Sequence, residues 1–361
     1  MTDATGLDAC LAACARLADL PLPLDTAPPV LMRLFRLAPQ DHVFFFVLHH
    51  VIADGTSFGP LLDDLARCYG SRVEGRRPAP RRRRRRRRLR PLGGRPGRPR
   101  RSRRLPPVLA GDVRRRVAER TPLPPPLDGV DAERGHAHRV VVPADTTAAV
   151  RRIAGQARTG VFTVVSTAVA VALSRYTGRE DLVVGMPVSR RDRTGLERVV
   201  GLLLDMVPVR LDAGPAPFAE LVRRTRSAVL GTVRHAPVPE DVAAARSAFN
   251  VIVTDLGATL PAPHFPGLAI EHVEVAQVGA KYGLNFLVRD EGETLALYLE
   301  ADRRAVAEAD IEAVADTVLA VLAAAGADPD ASVTTLAIGA FGAAAPARSP
   351  RPSGCRAPTS R

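Results

Sequence analysis

The sequence predicts an α/β (α+β) fold, because short apolar runs suited to strands alternate along its 361 residues with longer segments of helical periodicity. Residues 43–48 form such a run, apolar on both faces and rich in β-forming residues, which predicts a buried strand. Thr56 or Ser57 is suited to cap the helix that follows, with Pro60 in its first turn. The apolar positions of that helix recur at helical spacing and are Phe58, Leu61, Leu62, Leu65 and Tyr69.

The other elements are predicted from the same two periodicities. An Ala- and Leu-rich stretch at residues 7–20 predicts a short helix. Further helices are predicted from Thr146 or Thr147 to Gln156, from Thr163 to Tyr176 with a stop at Gly178, from Pro217 to His235 and from Val306 to Ala324. Further strands are predicted at Val30–Leu37, Arg139–Val142, Leu182–Gly185, Met206–Leu211, Phe249–Thr254, Leu268–Val275, Leu284–Val288 and Thr294–Glu300.

The loop from His49 to Gly55 joins the central strand to its helix, a place where chemistry is often carried on a rigid scaffold. Adjacent side chains of an extended segment point to opposite faces, so His49 and His50 are predicted to have different roles. The carboxylate of Asp54 is suited to hold the loop closed by pairing with an arginine elsewhere. Gly55 allows a backbone angle or a close approach that a side chain would block. The pattern therefore predicts a functional site in this loop.

The net charge of +13 is concentrated in one segment. Residues 76–104 contain 17 arginines and no acidic residue, and without them the rest of the chain has a net charge of −4. Such a segment repels itself and has little apolar surface to bury, so it is predicted to be disordered. Two origins stay open for it, a shifted reading frame in GC-rich DNA and a true insertion.

Several segments resemble one protein family in the order that the family shows them. Leu48–Ser57 resembles the His-His-x-x-x-Asp-Gly motif of the condensation domains of nonribosomal peptide synthetases. Val183–Arg191 resembles the family's strand ending in Gly-x-Pro-x-x-x-Arg, and Val200–Met206 resembles its Ile-Gly-Phe-Phe-Val-Asn-Thr segment. Weaker matches lie at His235–Glu240 and Arg246–Val251. The resemblance covers about residues 8–75 and 115–340.

The resemblance implies the two-lobed chloramphenicol acetyltransferase-like fold, with a mixed sheet and helices in each lobe. The family has a strand, a helix and an arginine-bearing motif ahead of the residues matched here, so the first lobe is expected to be incomplete. Residues 1–75 are assigned to this partial lobe with its histidine loop, and residues 76–112 to the Arg/Pro-rich segment. Residues 113–340 are assigned to the remainder and the second lobe, and residues 341–361 to a disordered tail.

The resemblance also implies a chemistry. Condensation domains join an acyl or peptidyl thioester on one carrier protein to the amine of an aminoacyl thioester on another, forming an amide. Both substrates are carried on phosphopantetheine arms, and neither a tightly bound cofactor nor a metal is expected. The implied catalytic set is His50 with His49, Asp54 and Gly55, while Arg191 makes a structural salt bridge to Asp54. His50 either accepts a proton from the attacking amine or orients that amine.

Two other functions stay open from the sequence. A standalone acyltransferase of the same fold would make an ester or an amide from an acyl thioester. A nucleic-acid-binding protein would use residues 76–104, whose arginines bind phosphate without sequence preference. That segment has no aromatic residue to stack on bases, so no physiological nucleic-acid partner is expected.

The remaining features favour an ordinary monomeric enzyme of the cytoplasm. No apolar run approaches the roughly 18 residues of a membrane span, so no membrane contact is expected. The N-terminus has no basic region ahead of an apolar core, as a secretory signal would have. The scattered cysteines are predicted to be reduced thiols, and they are Cys10, Cys14, Cys68 and Cys355.

Overall fold

A computed structural model of the chain describes residues 2–3, 6–25, 28–78, 135–191, 195–235, 249–258, 263–273, 275 and 282–336. The Arg/Pro-rich segment beyond Pro78 and the tail of residues 341–361 lie outside the described residues. The disorder predicted for both therefore stays a prediction.

The described chain contains helices, strands and one short 3-10 turn at Gly55–Ser57. The helices are α1 (Leu7–Ala18), α2 (Phe58–Val73), α3 (Ala144–Gln156), α4 (Val161–Thr177), α5 (Phe218–His235) and α6 (Glu308–Ala327). The strands are β1 (Thr2–Asp3), β2 (Val30–Ala38), β3 (Asp41–Leu48), β4 (Gly135–Val142), β5 (Asp181–Ser189), β6 (Leu204–Asp212), β7 (Val251–Ala258), β8 (Leu284–Asp290) and β9 (Leu295–Asp302). Apart from β1, for which no strand was predicted, these bounds agree with the predicted elements to within a few residues, except at Leu268–Val275.

The first sheet has the strand order β1-β2-β3, and its main pair, β2 with β3, is antiparallel. Helix α1 covers one face, where Phe35 and Phe45 pack against Cys10 and Cys14. The opposite face is more open, since Phe44 is 45% exposed. The prediction that β3 is buried on both faces is therefore wrong. An apolar run shows which residues are suited to burial, but other segments decide how many layers cover them.

The second sheet has the order β4-β9-β8-β7-β5-β6. The pairs β5–β7 and β7–β8 are parallel, and the other neighbours are antiparallel. Helices α3, α4, α5 and α6 pack in one layer over this sheet and share a single apolar core with it. The sheet and its helices form the scaffold that carries Arg191, which lies just past the end of β5.

Helix α4 lies at the centre of the helical layer, and its Val and Ala side chains are buried along most of its length. It ends, as predicted, at Gly178, which has a left-handed φ of 69° that favours glycine. Within the described part of the chain, no single helix combines the length and hydropathy of a membrane span. Helices α3 and α4 reach that threshold only as a pair, with a bend of 107° between them.

The predicted threonine cap of α3 is wrong. The helix begins at Ala144, directly after Pro143, without a side-chain capping bond. Thr147 instead donates from Oγ1 to the carbonyl of Val142 at 3.1 Å and accepts from the N–H of Leu295 at 3.3 Å. Its hydroxyl therefore joins the helix to the ends of β4 and β9, a tertiary use that local capping preferences do not foresee.

The chain between β7 and β8 leaves the second sheet and crosses to the first lobe. Strands β7 and β8 pair directly with each other, so the residues between them add no strand there. The strand predicted at Leu268–Val275 is accordingly not formed in the described residues 263–273 and 275. Phe265 instead packs edge-on against Tyr69 of α2, with 5.5 Å between ring centroids. Val275 packs against the core of the first sheet, so this crossover is one of the contacts that join the lobes.

Gly185→Ala is expected to lower the free energy of unfolding by about 1–3 kcal/mol, as overpacking of a core does. A Cβ atom at this position of β5 would lie 2.3 Å from Cε2 of Phe249, whose ring crosses the backbone there. Urea unfolding measures the change. Gly155→Ala in α3 is the matched control, because a Cβ there meets no atom within 4 Å and alanine suits a helix better. Equal stability of wild type and Gly185→Ala would contradict this packing.

Candidate active site

The loop after β3 holds its two histidines in different surroundings. His49 is half-buried, and its backbone N–H donates to the carbonyl of Pro29 at 2.9 Å. Its Nδ1 accepts from the N–H of Val51 at 3.2 Å, and its carbonyl accepts from the N–H of Ile52 at 3.0 Å. His50, by contrast, is exposed. The first histidine is therefore occupied in holding the turn, while the imidazole of the second faces solvent.

Asp54 and Arg191 form a bidentate ion pair between the lobes. Arg191 donates from Nη1 to Oδ2 of Asp54 at 2.6 Å and from Nη2 to Oδ1 at 2.8 Å. The Asp54 side chain is fully buried, and the Arg191 side chain is 6% exposed. Paired bonds between ionised groups are among the strongest that side chains make. The histidine loop is thereby fastened to the end of β5.

The carboxylate of Asp54 accepts further bonds on both oxygens. Leu203 donates its N–H to Oδ2 at 2.8 Å, and Ser57 donates its N–H to Oδ1 at 3.1 Å and its hydroxyl at 2.8 Å. Burial by itself raises the pKa of Asp54, but the bonds from Arg191, Leu203 and Ser57 outweigh burial and hold that pKa below its ordinary value. The carboxylate therefore stays ionised, as its pairing with a guanidinium requires.

Thr56 or Ser57 was predicted to cap α2 with its side chain. Ser57 does occupy the N-cap position of α2, but its side chain makes no capping bond to that helix. Asp54 and Ser57 instead form a reciprocal capping box around the 3-10 turn of residues 55–57, in which the N–H of Asp54 donates to Ser57 Oγ at 3.2 Å. Asp-x-x-Ser has the spacing of a capping box, so the sequence contained a signal for this pair. The contacts of Ser57 with the second lobe had no such local signal.

Gly55 lies exposed at the start of the 3-10 turn. A Cβ there meets no atom within 4 Å, and the residue is not among those with a positive φ. Packing within the described residues thus does not require a glycine, which leaves the approach of a substrate as the reason predicted for it. Among all the residues that the structure describes, no group of three or more His, Cys, Asp or Glu side chains is placed to hold a metal ion.

Comparison with known families decides what kind of domain carries this loop. The family model described as "Condensation domain" matches residues 2–84 and 114–339, which is most of the chain. The chain belongs to the condensation-domain family. The matched ranges include the histidine loop, its partner Arg191 and nearly all of the second lobe.

Relatives of this condensation-domain chain are named as peptide synthetases or synthases. It is 32% identical over 255 residues to the isonitrile lipopeptide synthase of Mycobacterium tuberculosis, covering 67% of this chain and 10% of that protein. It is 31% identical over 219 residues to a probable non-canonical nonribosomal peptide synthetase of Salinispora arenicola, covering 58% and 3%. It is 30% identical over 251 residues to a phosphinothricin tripeptide synthetase of Streptomyces viridochromogenes, covering 64% and 20%. The chain thus spans a small part of each relative.

Solved structures show the same fold. The X-domain from teicoplanin biosynthesis superimposes with a TM-score of 0.73 at 20% identity, covering 93% of this chain and 80% of that one. The first condensation domain of the calcium-dependent antibiotic synthetase, in complex with a substrate analogue, gives 0.72 at 23% identity, covering 93% and 77%. The predicted chloramphenicol acetyltransferase-like fold class is confirmed.

Proposed function

We propose that this chain is a condensation-type acyltransferase that forms an amide bond in nonribosomal peptide synthesis. Its membership of the condensation-domain family and its peptide-synthetase relatives support this function. The observation that carries the proposal is the placement of an exposed His50 at the head of a loop that a buried ion pair anchors between the lobes. Such an arrangement presents one imidazole to a reactant while the backbone beneath it is held rigid.

In the proposed reaction, the amine of an aminoacyl thioester attacks the carbonyl carbon of an acyl or peptidyl thioester. A C–N bond forms, the C–S bond breaks, and the donor's pantetheine sulfur leaves and is protonated. An α-amine has a reference pKa of about 7.7–8.0, so the free amine is available near neutral pH without a strong base. The nitrogen becomes far more acidic once it has attacked, and His50 either takes its proton or holds the amine in line.

The other members of the proposed catalytic set hold the loop that carries His50 or leave room for the substrate. His49 holds the turn through its ring and its backbone, and Asp54 with Arg191 anchors the loop to the second lobe. The exposed Gly55 lets a thioester approach the backbone. We propose an upstream and a downstream carrier protein as partners, each presenting its substrate on a phosphopantetheine arm. The proposed enzyme acts as a monomer in the cytoplasm, without a tightly bound cofactor.

The protein is expected to transfer an acyl group from a loaded donor carrier to the amine of an aminoacyl-loaded acceptor carrier. Mass spectrometry of the intact acceptor then shows its arm heavier by the acyl group. A hydroxyacyl-loaded acceptor, supplied in a parallel reaction, separates the two open functions. Product on the hydroxyl acceptor alone would establish the ester-forming acyltransferase instead. No product on either acceptor, from folded protein and a panel of donors, would contradict both.

A further inference from the structure

We infer that Ser57 is a positioning residue whose hydroxyl fastens the histidine loop to the second lobe, and this inference rests on the proposed function. The part of the second lobe concerned is residues 195–203, the stretch of the β5–β6 connection that leads into β6, here termed the strap. The strap has its own apolar cluster of Leu196, Val199 and Leu203, so it is a folded element and not a loose linker.

The hydroxyl of Ser57 lies where the loop and the strap meet. The side chain is fully buried. The N–H of Gly201 donates to Oγ at 3.1 Å, and the carbonyl of Gly201 lies 3.1 Å from the same atom. Within the loop, Oγ lies 2.8 Å from Oδ1 of Asp54 and 3.2 Å from its backbone nitrogen. One oxygen atom thus contacts the N–H and the carbonyl of one strap residue, two groups of the loop and, at 3.2 Å, Nη2 of Arg191.

A hydroxyl has one proton to donate and two lone pairs to accept with. Its proton goes to Oδ1 of Asp54, because this acceptor is charged and closer than the carbonyl of Gly201. That carbonyl also lies 3.2 Å from Nη2 of Arg191, whose two protons are shared among it, Oδ1 of Asp54, the carbonyl of Val199 and Oγ of Ser57. The lone pairs of Ser57 then accept from the backbone of Asp54 and of Gly201. Ser57 is therefore the acceptor that the buried N–H of Gly201 uses.

Few of the bonds in this cluster actually cross between the lobes. Arg191 also donates to the carbonyl of Val199 at 3.0 Å, but this bond, like its bond to Gly201, lies within the second lobe. From the first lobe, Asp54 reaches Arg191 and the N–H of Leu203, while Ser57 reaches Gly201 and, at 3.2 Å, Nη2 of Arg191. The loop thus holds the strap at two residues: Asp54 binds the backbone of Leu203, and Ser57 binds the backbone of Gly201.

Removal of the hydroxyl would affect both sides of this junction. A buried N–H of Gly201 would lose its acceptor, and the turn of residues 54–57 would lose half of its capping box. His50 lies in the same loop, four residues before Asp54. A displacement of about 1 Å at a reacting group is enough to cost about 10²-fold in rate. The expected consequence is a misplaced imidazole in a protein that remains folded.

Ser57→Ala is expected to lower kcat for amide formation by about 10–10²-fold while KM changes little, because the orientation of His50 is lost and substrate binding is not. Amide hydrogen exchange, followed by NMR in the apoprotein, is expected to be faster at Gly201 and less changed at Leu203, which Asp54 still holds. Ser57→Cys keeps a side chain of similar shape, slightly larger, but replaces the hydroxyl by a thiol that is only a weak acceptor, so it is expected to behave as Ser57→Ala does. Thr56→Ala is the matched control, since Thr56 is exposed in the same turn.

Wild-type protection of Gly201 in Ser57→Ala and Ser57→Cys would overturn the inference, and so would an equal loss of kcat in Thr56→Ala. A rise in KM at constant kcat would also overturn it, since that result assigns Ser57 to substrate binding. The exchange measurement needs no substrate. It therefore tests the contact between Ser57 and Gly201 even if no acceptor yields product and the proposed function is wrong. Ser57→Cys supplies the same readout if the alanine variant does not fold.

Discussion

Asp54→Ala is expected to lower the free energy of unfolding by about 3–5 kcal/mol, because it leaves the buried guanidinium of Arg191 without a counter-charge. The N–H groups of Leu203 and Ser57 lose their acceptor as well. Arg191→Ala is expected to cost a similar amount, since it leaves a buried carboxylate unpaired. Chemical denaturation of the purified variants measures both values.

The double variant Asp54→Ala/Arg191→Ala is expected to lose less stability than the two single losses summed, since neither charge is then left alone. A second ion pair, Asp63 with Arg198, also joins the first lobe to the strap and provides the control. Both of its side chains are more than half exposed, so Asp63→Ala is expected to cost only about 0–1 kcal/mol. Strictly additive losses at Asp54 and Arg191 would show that the two residues do not interact in solution.

The same carboxylate is expected to make stability depend on pH. The pKa of Asp54 in the folded protein lies below its ordinary value, so its contribution is complete above the unfolded-state pKa. That contribution is lost as the pH falls through the lower, folded-state pKa. The difference in free energy of unfolding between wild type and Asp54→Ala is therefore expected to shrink progressively below about pH 5. A constant difference between the two proteins down to pH 2 would contradict the depressed pKa.

His50→Ala is expected to reduce kcat for amide formation by at least about 10²-fold, the lower end of what a positioned acid–base group contributes. The exposed imidazole makes no bond that the fold depends on among the described contacts, so the melting temperature is expected to stay near that of wild type. His42→Ala is the control, because His42 is an exposed histidine near the start of β3, the strand that leads into the histidine loop. Full product formation by His50→Ala would remove His50 from the proposed catalytic set.

His50→Gln separates the two roles left open for this residue. A glutamine amide can hold a substrate amine by a hydrogen bond but cannot accept its proton at neutral pH. Substantial activity in His50→Gln at pH 8, with none in His50→Ala, would assign the histidine to orientation. Equal losses in both variants would assign it to proton transfer. Mass spectrometry of the acceptor carrier gives both rates.

The sequence was sufficient for those parts of the site that depend on neighbours along the chain. The apolar run before His49 and the helical repeat after Pro60 placed the histidine loop between a strand and a helix, and the structure has both. The alternation of an extended segment was enough to predict different surroundings for His49 and His50. The resemblance, and not any local pattern, indicated that Asp54 meets Arg191.

The features that the sequence did not predict depend on residues far along the chain. Phe44 is as apolar as Phe45, yet only Phe45 faces α1, so composition alone did not show that one face of β3 is open. Leu268–Val275 has the alternation of a strand, but β7 and β8 pair directly with each other and leave it no place between them. Ser57 has an ordinary capping signal, and its contact with Gly201 spans 144 positions. No periodicity within a short window reports such a contact.

The separation of 137 positions between Asp54 and Arg191 has a consequence for how the site tolerates changes in chain length. Pairing these residues closes a very large loop, and the entropy lost on closure grows only with the logarithm of loop length. Halving the loop would therefore change the closure free energy by only about 0.6 kcal/mol, well below the roughly 3–5 kcal/mol that removal of one partner of the buried pair costs. The ion pair thus makes the geometry around His50 nearly independent of how many residues are added to or removed from the arginine-rich segment that separates Asp54 from Arg191 in the sequence.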